Sequence, residues 1–340
     1  MIFARRLAGN APPRILWSLA ILLALLLIAP ALLGKYWLSV LILILYFAYV
    51  GQAWNIMMGF AGQLSLGHAL YVGLGAYTTA ALYVHFNLSP WLGLPVAILI
   101  AAATGAIIAF LAFRFRVAGV YFAILTIAFA EFARIGFDHF DWVKGSSGLF
   151  LPVANYTVSD FWNLRGKPVM FYYLMLGFAV AALLICHMLL RSRIGYFWLA
   201  VREDEDAARA LGIDTFRYKM IAVVLSAAMT SVAGAFYAFY YNNLFPEQVF
   251  HISRSIEIIL APIIGGIGTL FGPILGAFLL TGLAEGIFEL MNGLGWTPPG
   301  AKQVFYGICL LFVVVVLPDG VWPPLARALG LSRRSDDEGR

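Results

Sequence analysis

Apolar runs near twenty residues long recur along this chain, and polar positions gather between them instead of alternating within them. A helix that spans a membrane needs ~20 consecutive apolar residues. Ten segments answer to that length, approximately 15–33, 38–58, 66–84, 91–113, 118–136, 171–190, 219–241, 255–268, 271–290 and 302–318. The eighth and ninth are short and are separated by Gly265-Gly-Ile-Gly-Thr-Leu-Phe-Gly-Pro273, so they read either as two spans or as the half-depth arms of a re-entrant hairpin. The expected fold class is all-α, a polytopic membrane protein of about ten spans with glycine-rich broken helices.

One interruption stands out. The stretch Trp37 to Tyr71 is almost free of charge, yet Gly59-Phe-Ala-Gly-Gln-Leu-Ser-Leu-Gly-His68 divides it. In lipid an unpaired backbone group is costly, so irregular backbone survives only inside protein or beside a water-filled cavity. A helix broken at membrane depth points to a translocation path more than to an anchor. Asn55, Gln63, Ser65 and His68 cluster with Gly59, Gly62 and Gly67 around this break. Two compatible roles follow: satisfying the freed backbone, and lining a path and its gate. Gly265, Gly266, Gly268 and Gly272 mark the second break, whose glycine spacing resembles the first and hints at a pseudo-repeat.

Composition narrows the class. Of the 340 residues 62% are hydrophobic and 11% charged, against roughly 25% charged in soluble domains, which excludes a soluble globular protein. The net charge of +5 reflects location, not nucleic acid. Arg5, Arg6 and Arg14 precede the first apolar run, and Ala29-Pro-Ala31 faintly imitates a cleavage site, but apolar character continues to Leu33, as in an uncleaved first span. With a cytoplasmic N-terminus, the inner segments and their edges hold fifteen of the Lys and Arg residues and the outer ones seven, the bias of the positive-inside rule. The expected organisation is a cytoplasmic tail at 1–14, a membrane domain at 15–318 with an inner loop at 191–218, and a cytoplasmic tail at 319–340. Cys186 and Cys309 lie in apolar runs without the spacing of a metal site or disulfide framework. The outer loop at about 137–170 has room for a short interfacial helix.

The inner loop carries the densest charge, Arg202-Glu-Asp-Glu-Asp-Ala-Ala-Arg-Ala-Leu-Gly212. Acidic residues suit a helix N-terminus, and Gly212 is placed to end the helix. Ala207, Ala208 and Leu211 form a small apolar face able to meet a partner; a bare connecting helix is the plain alternative. Asp206-Ala-Ala-x-x-x-Gly212 resembles the EAA-type loop of ABC importer permeases, with Asp for the first Glu. The wider string from Arg202 to Lys219 looks like the LivM branch, the branched-chain amino-acid permeases. Gly59 to His68 and Gly265 to Gly276 do so too, in the family's order, over roughly residues 37–318. The resemblance implies that Glu205, Asp206, Ala207, Ala208, Leu211 and Gly212 couple to an ATPase. It also implies two ABC ATPase subunits, a second homologous permease, a periplasmic substrate-binding protein and a bacterial inner membrane. No Gly-x-x-x-x-Gly-Lys-Ser/Thr occurs, so ATP is expected on partner chains, and no cofactor or enzymatic activity on this one.

Within the spans, Ser226, Thr230, Gly234 and Ala238 recur every four residues, as in close helix packing; Gly282 and Gly286 read the same way. Glu131 and Arg134 share a helix face as an intramembrane ion pair. An ion-coupled transporter working alone, through Glu131 or His68, is the alternative reading. An importer permease for urea or short amides is another, since the substrate is implied by resemblance only. The five histidines are scattered and converge on no catalytic or metal-binding pattern.

Overall fold

A computed structural model describes residues 13–152, 160–295 and 300–328. Most of both expected tails, with Arg5, Arg6, Arg333, Arg334 and Arg340, lies outside the described residues. The helices are α1 (Pro13–Leu32), α2 (Lys35–Asn55), α3 (His68–Phe86), α4 (Pro90–Arg114), α5 (Val120–Asp138), α6 (Pro168–Leu190) and α7 (Arg193–Glu203). They continue as α8 (Glu205–Ala210), α9 (Thr215–Tyr241), α10 (Pro246–Val249), α11 (Ile252–Gly265), α12 (Gly272–Gly293), α13 (Ala301–Val316) and α14 (Trp322–Ala328). A π-helical turn, Ile56–Phe60, extends α2.

Each of the ten apolar segments is helical, but six of the described helices are long and apolar enough to cross a membrane: α2 with its π turn, α4, α5, α6, α9 and α12. Helix α3 has the length, 19 residues, but its glycines, threonines and His68 make it less apolar. Helix α11 has 14 residues, about 21 Å at 1.5 Å per residue, short of a ~30 Å hydrocarbon core. Helix α12 is full length, so the pair is not a hairpin of two half-depth arms.

Helix α2 is apolar all round and buried almost throughout from Leu38 to Asn55, as expected of a central helix. Helices α6, α9, α11 and α12 pack around it, and α3 and α4 pack on α9. The small-residue stripe of α9 meets α3 closely: a Cβ at Gly234 would overlap the Val72 carbonyl, and one at Gly75 the Ser231 carbonyl. A Cβ at Gly286, by contrast, would have nothing within 4 Å among the described residues, so the close packing expected there is not made, although Ala284 and Glu285 beside it are buried. Prolines at the first turn of α4 and α6 suit positions whose N–H has no helical partner.

The loop after α5 forms two three-residue 3-10 turns, Asp141–Val143 and Gly145–Ser147, where the sequence leaves room for an interfacial helix. A strand β1 (Leu149–Phe150) then pairs antiparallel with β2 (Asn243–Leu244), Leu149 opposite Leu244. At the other end the chain folds back after α13. The Val321 amide donates to the Ile264 carbonyl at 2.9 Å and Trp322 packs on Phe271 with ring centroids 5.0 Å apart. The packed body therefore reaches past residue 318.

Candidate functional site

The first break is irregular backbone at residues 61–67 between the π turn and α3, and its polar groups are met by side chains from several helices. Trp54 Nε1 donates to the Ser65 carbonyl at 2.9 Å, and the Leu66 amide donates to Thr126 Oγ1 of α5 at 3.1 Å. In the first turn of α3, the Ala69 amide donates to Ser255 Oγ of α11 at 2.9 Å. The first two satisfy backbone groups of the break, and the third supplies a partner to an amide that a helix start leaves unpaired. Gly67 is packed so tightly on α5 that a Cβ there would overlap the Thr126 carbonyl.

His68 sits in a directed hydrogen-bond chain. Ser226 Oγ donates to the Ala53 carbonyl at 2.7 Å, so it accepts from His68 Nε2, 2.9 Å away. Nδ1 of the same ring is then the acceptor for Ser65 Oγ at 3.2 Å. A hydroxyl has one proton to donate, so the pattern selects the neutral Nε2–H tautomer. Gln63 turns onto its own loop, donating to the Ala61 carbonyl at 3.0 Å. Asn55, Gln63, Ser65 and His68 are all buried, and each is engaged with protein groups.

Asn55 joins the two breaks. Its Nδ2 donates to the Thr269 carbonyl at 2.9 Å and its Oδ1 accepts from the Gly268 amide at 2.8 Å. Gln52 adds a bond from Nε2 to the Leu270 carbonyl at 2.6 Å. A Cβ at Gly59 would overlap Asn55 Oδ1 and lie 2.6 Å from the Gly268 amide, so the contact needs glycine there. The second break is packed backbone on backbone: Gly265 against the Gly272 carbonyl, Gly272 against the Gly266 carbonyl, and Gly276 against the Ala261 carbonyl. Gly266 and Gly268 have φ of 121° and 76°, a region that side-chain-bearing residues seldom enter.

The charged loop at 191–218 reaches these breaks. Trp198 of α7 is fully buried and donates from Nε1 to the Tyr218 carbonyl at 2.8 Å. Arg202 Nη1 donates to the Gly59 carbonyl at 2.7 Å, and the Arg202 stem lies against Gly62, where a Cβ would come 3.0 Å from Cγ. Helix α8 follows, capped by Asp204, whose Oδ1 accepts from the Asp206 and Ala207 amides at 2.9 Å each. Gly212, at φ 85°, ends it.

The coupling residues expected from the sequence divide into two faces. Ala208 is turned inward at 2% exposure. Glu205 is bonded to Lys219 Nζ at 2.8 and 2.9 Å, to Thr215 Oγ1 at 3.1 Å and to Arg209 Nη2 at 2.9 Å. Burial pushes the Glu205 carboxyl up, but the bond from Lys219 with its charge, the Thr215 hydroxyl and Arg209 outweigh it and lower its pKa. Asp206 and Ala207 point outward with Leu211, which is 83% exposed. An open cleft of about 830 Å³ lies between the C-terminal end of α4 and this loop, lined by Phe113, Arg114, Arg116, Asp206 and Lys219 among others. Lys219, 8% exposed, rests over the Phe113 ring at 4.7 Å.

At the end of α5, Arg134 bridges Glu131 at 2.6 Å, as the spacing predicts, and also Asp138 at 2.9 Å and Glu247 at 2.7 Å. Nothing in the local sequence signals the last partner, which lies on α10. Nothing local in the sequence ties Arg202, Thr126, Ser226 or Ser255 to residues 59–68.

The family model described as branched-chain amino acid transport system / permease component matches residues 36–314. The chain belongs to this family. Among this family's curated proteins it is similar to the high-affinity branched-chain amino acid transport system permease protein LivM of Escherichia coli (strain K12). The identity is 33% over 283 residues, 76% of this chain and 66% of that relative. It is also similar to the LivH permease protein of the same strain, 26% identical over 289 residues, 81% of this chain and 90% of LivH. A probable LivM of Methanocaldococcus jannaschii is 23% identical over 317 residues, covering 85% and 91%. The matched region thus spans just under two thirds of the Escherichia coli LivM length. No solved structure matches this permease-family chain.

Proposed function

We propose that this chain is a membrane-spanning permease subunit of an ATP-driven importer for branched-chain amino acids. It passes the substrate and does not hydrolyse ATP. The observation that carries this reading is the family match across residues 36–314, joined to a loop whose anchored helix α8 presents Ala207 outward, with Leu211 just past its end. In this reading α8 docks on one of two ABC ATPase subunits, and a second, LivH-like permease completes the membrane part. A periplasmic binding protein delivers the substrate. The chain is inserted in a bacterial inner membrane with both termini cytoplasmic, and α1, α3, α11 and α13 complete the ten spans. The glycine-rich breaks, with Asn55, Gln63, Ser65 and His68, form the gate that α8 moves.

Purifying the tagged chain from its native host in mild detergent tests the assembly. Two P-loop ATPases and a second permease are expected to accompany it. A lone protein catalysing ion-driven uptake in liposomes would overturn the reading. Ala207→Arg places a charged side chain on the outward face of α8. It should leave the protein inserted and abolish ATP-dependent leucine uptake, and undiminished uptake would remove the coupling role from α8.

A further inference from the structure

Arg202 occupies a position that family membership alone does not explain. It is the penultimate residue of α7, two residues ahead of Asp204, which caps α8. Its side chain leaves the loop and enters the junction of both breaks. Nη1 donates to the Gly59 carbonyl in the π turn at 2.7 Å. The same nitrogen would sit 2.6 Å from a Cβ placed at Gly268 in the second break. The stem covers Gly62, where an added Cβ would come 3.0 Å from Cγ and 3.3 Å from the Arg202 Cα. One glycine in each break therefore clears the volume that this side chain fills.

The remainder of the guanidinium is oriented from its own backbone neighbour. Glu203 Oε1 accepts from Nε at 3.2 Å and from Nη2 at 2.6 Å. A planar fork fixed on one edge by a carboxylate presents its remaining N–H groups in a set direction. Here that direction is the Gly59 carbonyl, a charge-assisted bond stronger than a neutral one. The loop side is stiff: Trp198 anchors α7 to the start of α9, and Glu205 anchors α8 to Lys219. The break side is stiff as well, because Asn55 ties Gly268 and Thr269 to the end of α2. Arg202 reaches from the first stiff unit into the second.

We propose that Arg202 is the positioning residue that transmits displacement of α8 to both breaks, latching the inner ends of α2 and of the α11–α12 turn to the loop. The inference rests on α8 being the ATPase-docking helix. When α8 shifts, the guanidinium moves with it, and the Gly59 carbonyl and the Gly268 backbone follow or are released together. Coupling between sites requires such an element, one whose arrangement both sites bias.

The test compares Arg202→Met with Arg202→Lys in the complex purified with its ATPase and permease partners and reconstituted in liposomes. Methionine keeps much of the stem on Gly62 but donates no hydrogen bond; lysine donates without the fork. Radiolabelled leucine uptake and ATP hydrolysis are measured on the same preparation. For Arg202→Met, uptake per ATP hydrolysed should fall about tenfold, the usual size of a coupling free energy, with hydrolysis nearly unchanged. Arg202→Lys should recover part of the loss. Wild-type uptake per ATP in Arg202→Met would overturn the proposal, as would an equal loss of uptake and hydrolysis, which marks failed docking. If Arg202→Met does not assemble, hydrogen exchange on the wild-type complex decides. A non-hydrolysable ATP analogue should change protection at residues 59–68 and 266–270 together, and unchanged protection at both would overturn the latch. A wild-type complex that shows no ATP-driven uptake would instead sink the importer reading, and this inference with it.

Discussion

The two breaks meet at one junction, yet they are built on opposite principles. The first is held by side chains brought in from elsewhere: Thr126 from α5, Arg202 from α7, Ser226 from α9 and Ser255 from α11. The second is held largely by the absence of side chains, with glycines at 265, 272 and 276 letting backbone touch backbone. Both meet the same requirement, that buried backbone polar groups find partners. They differ in how they fail. Removing a hydroxyl damages the first, whereas adding a methyl damages the second.

The largest effect is therefore expected in the second break. Gly276→Val would drive its side chain into the Ala261 carbonyl, with the Gly265 amide 2.8 Å from Cβ. Neither is a flexible side chain that moves aside, so the α11–α12 turn must open. Overpacking of a tight interior costs about 1–3 kcal/mol, and more in a few cases, as expected where backbone meets backbone. The detergent-solubilised variant should unfold at a clearly lower temperature than wild type. If it unfolds at the wild-type temperature, the close approach of α11 and α12 is wrong.

In the first break the corresponding change is a deletion. Ser226→Ala removes the acceptor for His68 Nε2 and the donor to the Ala53 carbonyl, both fully buried. A buried donor left unpaired costs roughly 1–3 kcal/mol, so the loss should be smaller than for Gly276→Val but still measurable. Nitrogen NMR on labelled histidine offers a sharper reading, since wild-type His68 should show the Nε2–H tautomer. The opposite tautomer would reverse the direction of the chain from Ser65 to Ala53. If Ser226→Ala is the more damaging of the two, the contrast between the breaks fails.

The same contrast explains what the sequence made legible. Apolar run length located ten of the described helices, because burial in lipid or protein is a property of consecutive residues. Glycine clusters located both breaks, because close backbone approach leaves a compositional mark. The α9 stripe announced close packing for the same reason, though not that α3 would be its partner. Partners distant in sequence left no such mark: Asn55 finds Gly268 across more than two hundred positions, and Ser226 reads as one more small residue until His68 is placed against it. In α8 the residue types announced a capped helix, but its inward face depended on where Lys219 stands in α9. Ala208 and Glu205 thus anchor the loop, while Ala207, Asp206 and Leu211 stay free of that task.

That anchor gives the smallest effect, and one with a defined sign. Glu205 has a lowered pKa, although burial opposes it, because Lys219, Thr215 and Arg209 favour the carboxylate. A group whose pKa is depressed on folding contributes stability above its unfolded value, near 4.3, and loses it as pH falls through the folded value. Helix α8 should therefore stay docked on α9 at neutral pH and loosen in acid, below the ordinary glutamate range. The carboxylate is 31% exposed, so screening by water keeps the contribution under about 1 kcal/mol. Hydrogen exchange at residues 205–212, corrected for the intrinsic pH dependence of exchange, should show protection falling in acid for wild type. Glu205→Gln should show the weaker protection already at pH 7 and little further change in acid. If the variant keeps wild-type protection at pH 7, the anchor lies elsewhere in the loop, with the buried Trp198 of α7 as the next contact to remove.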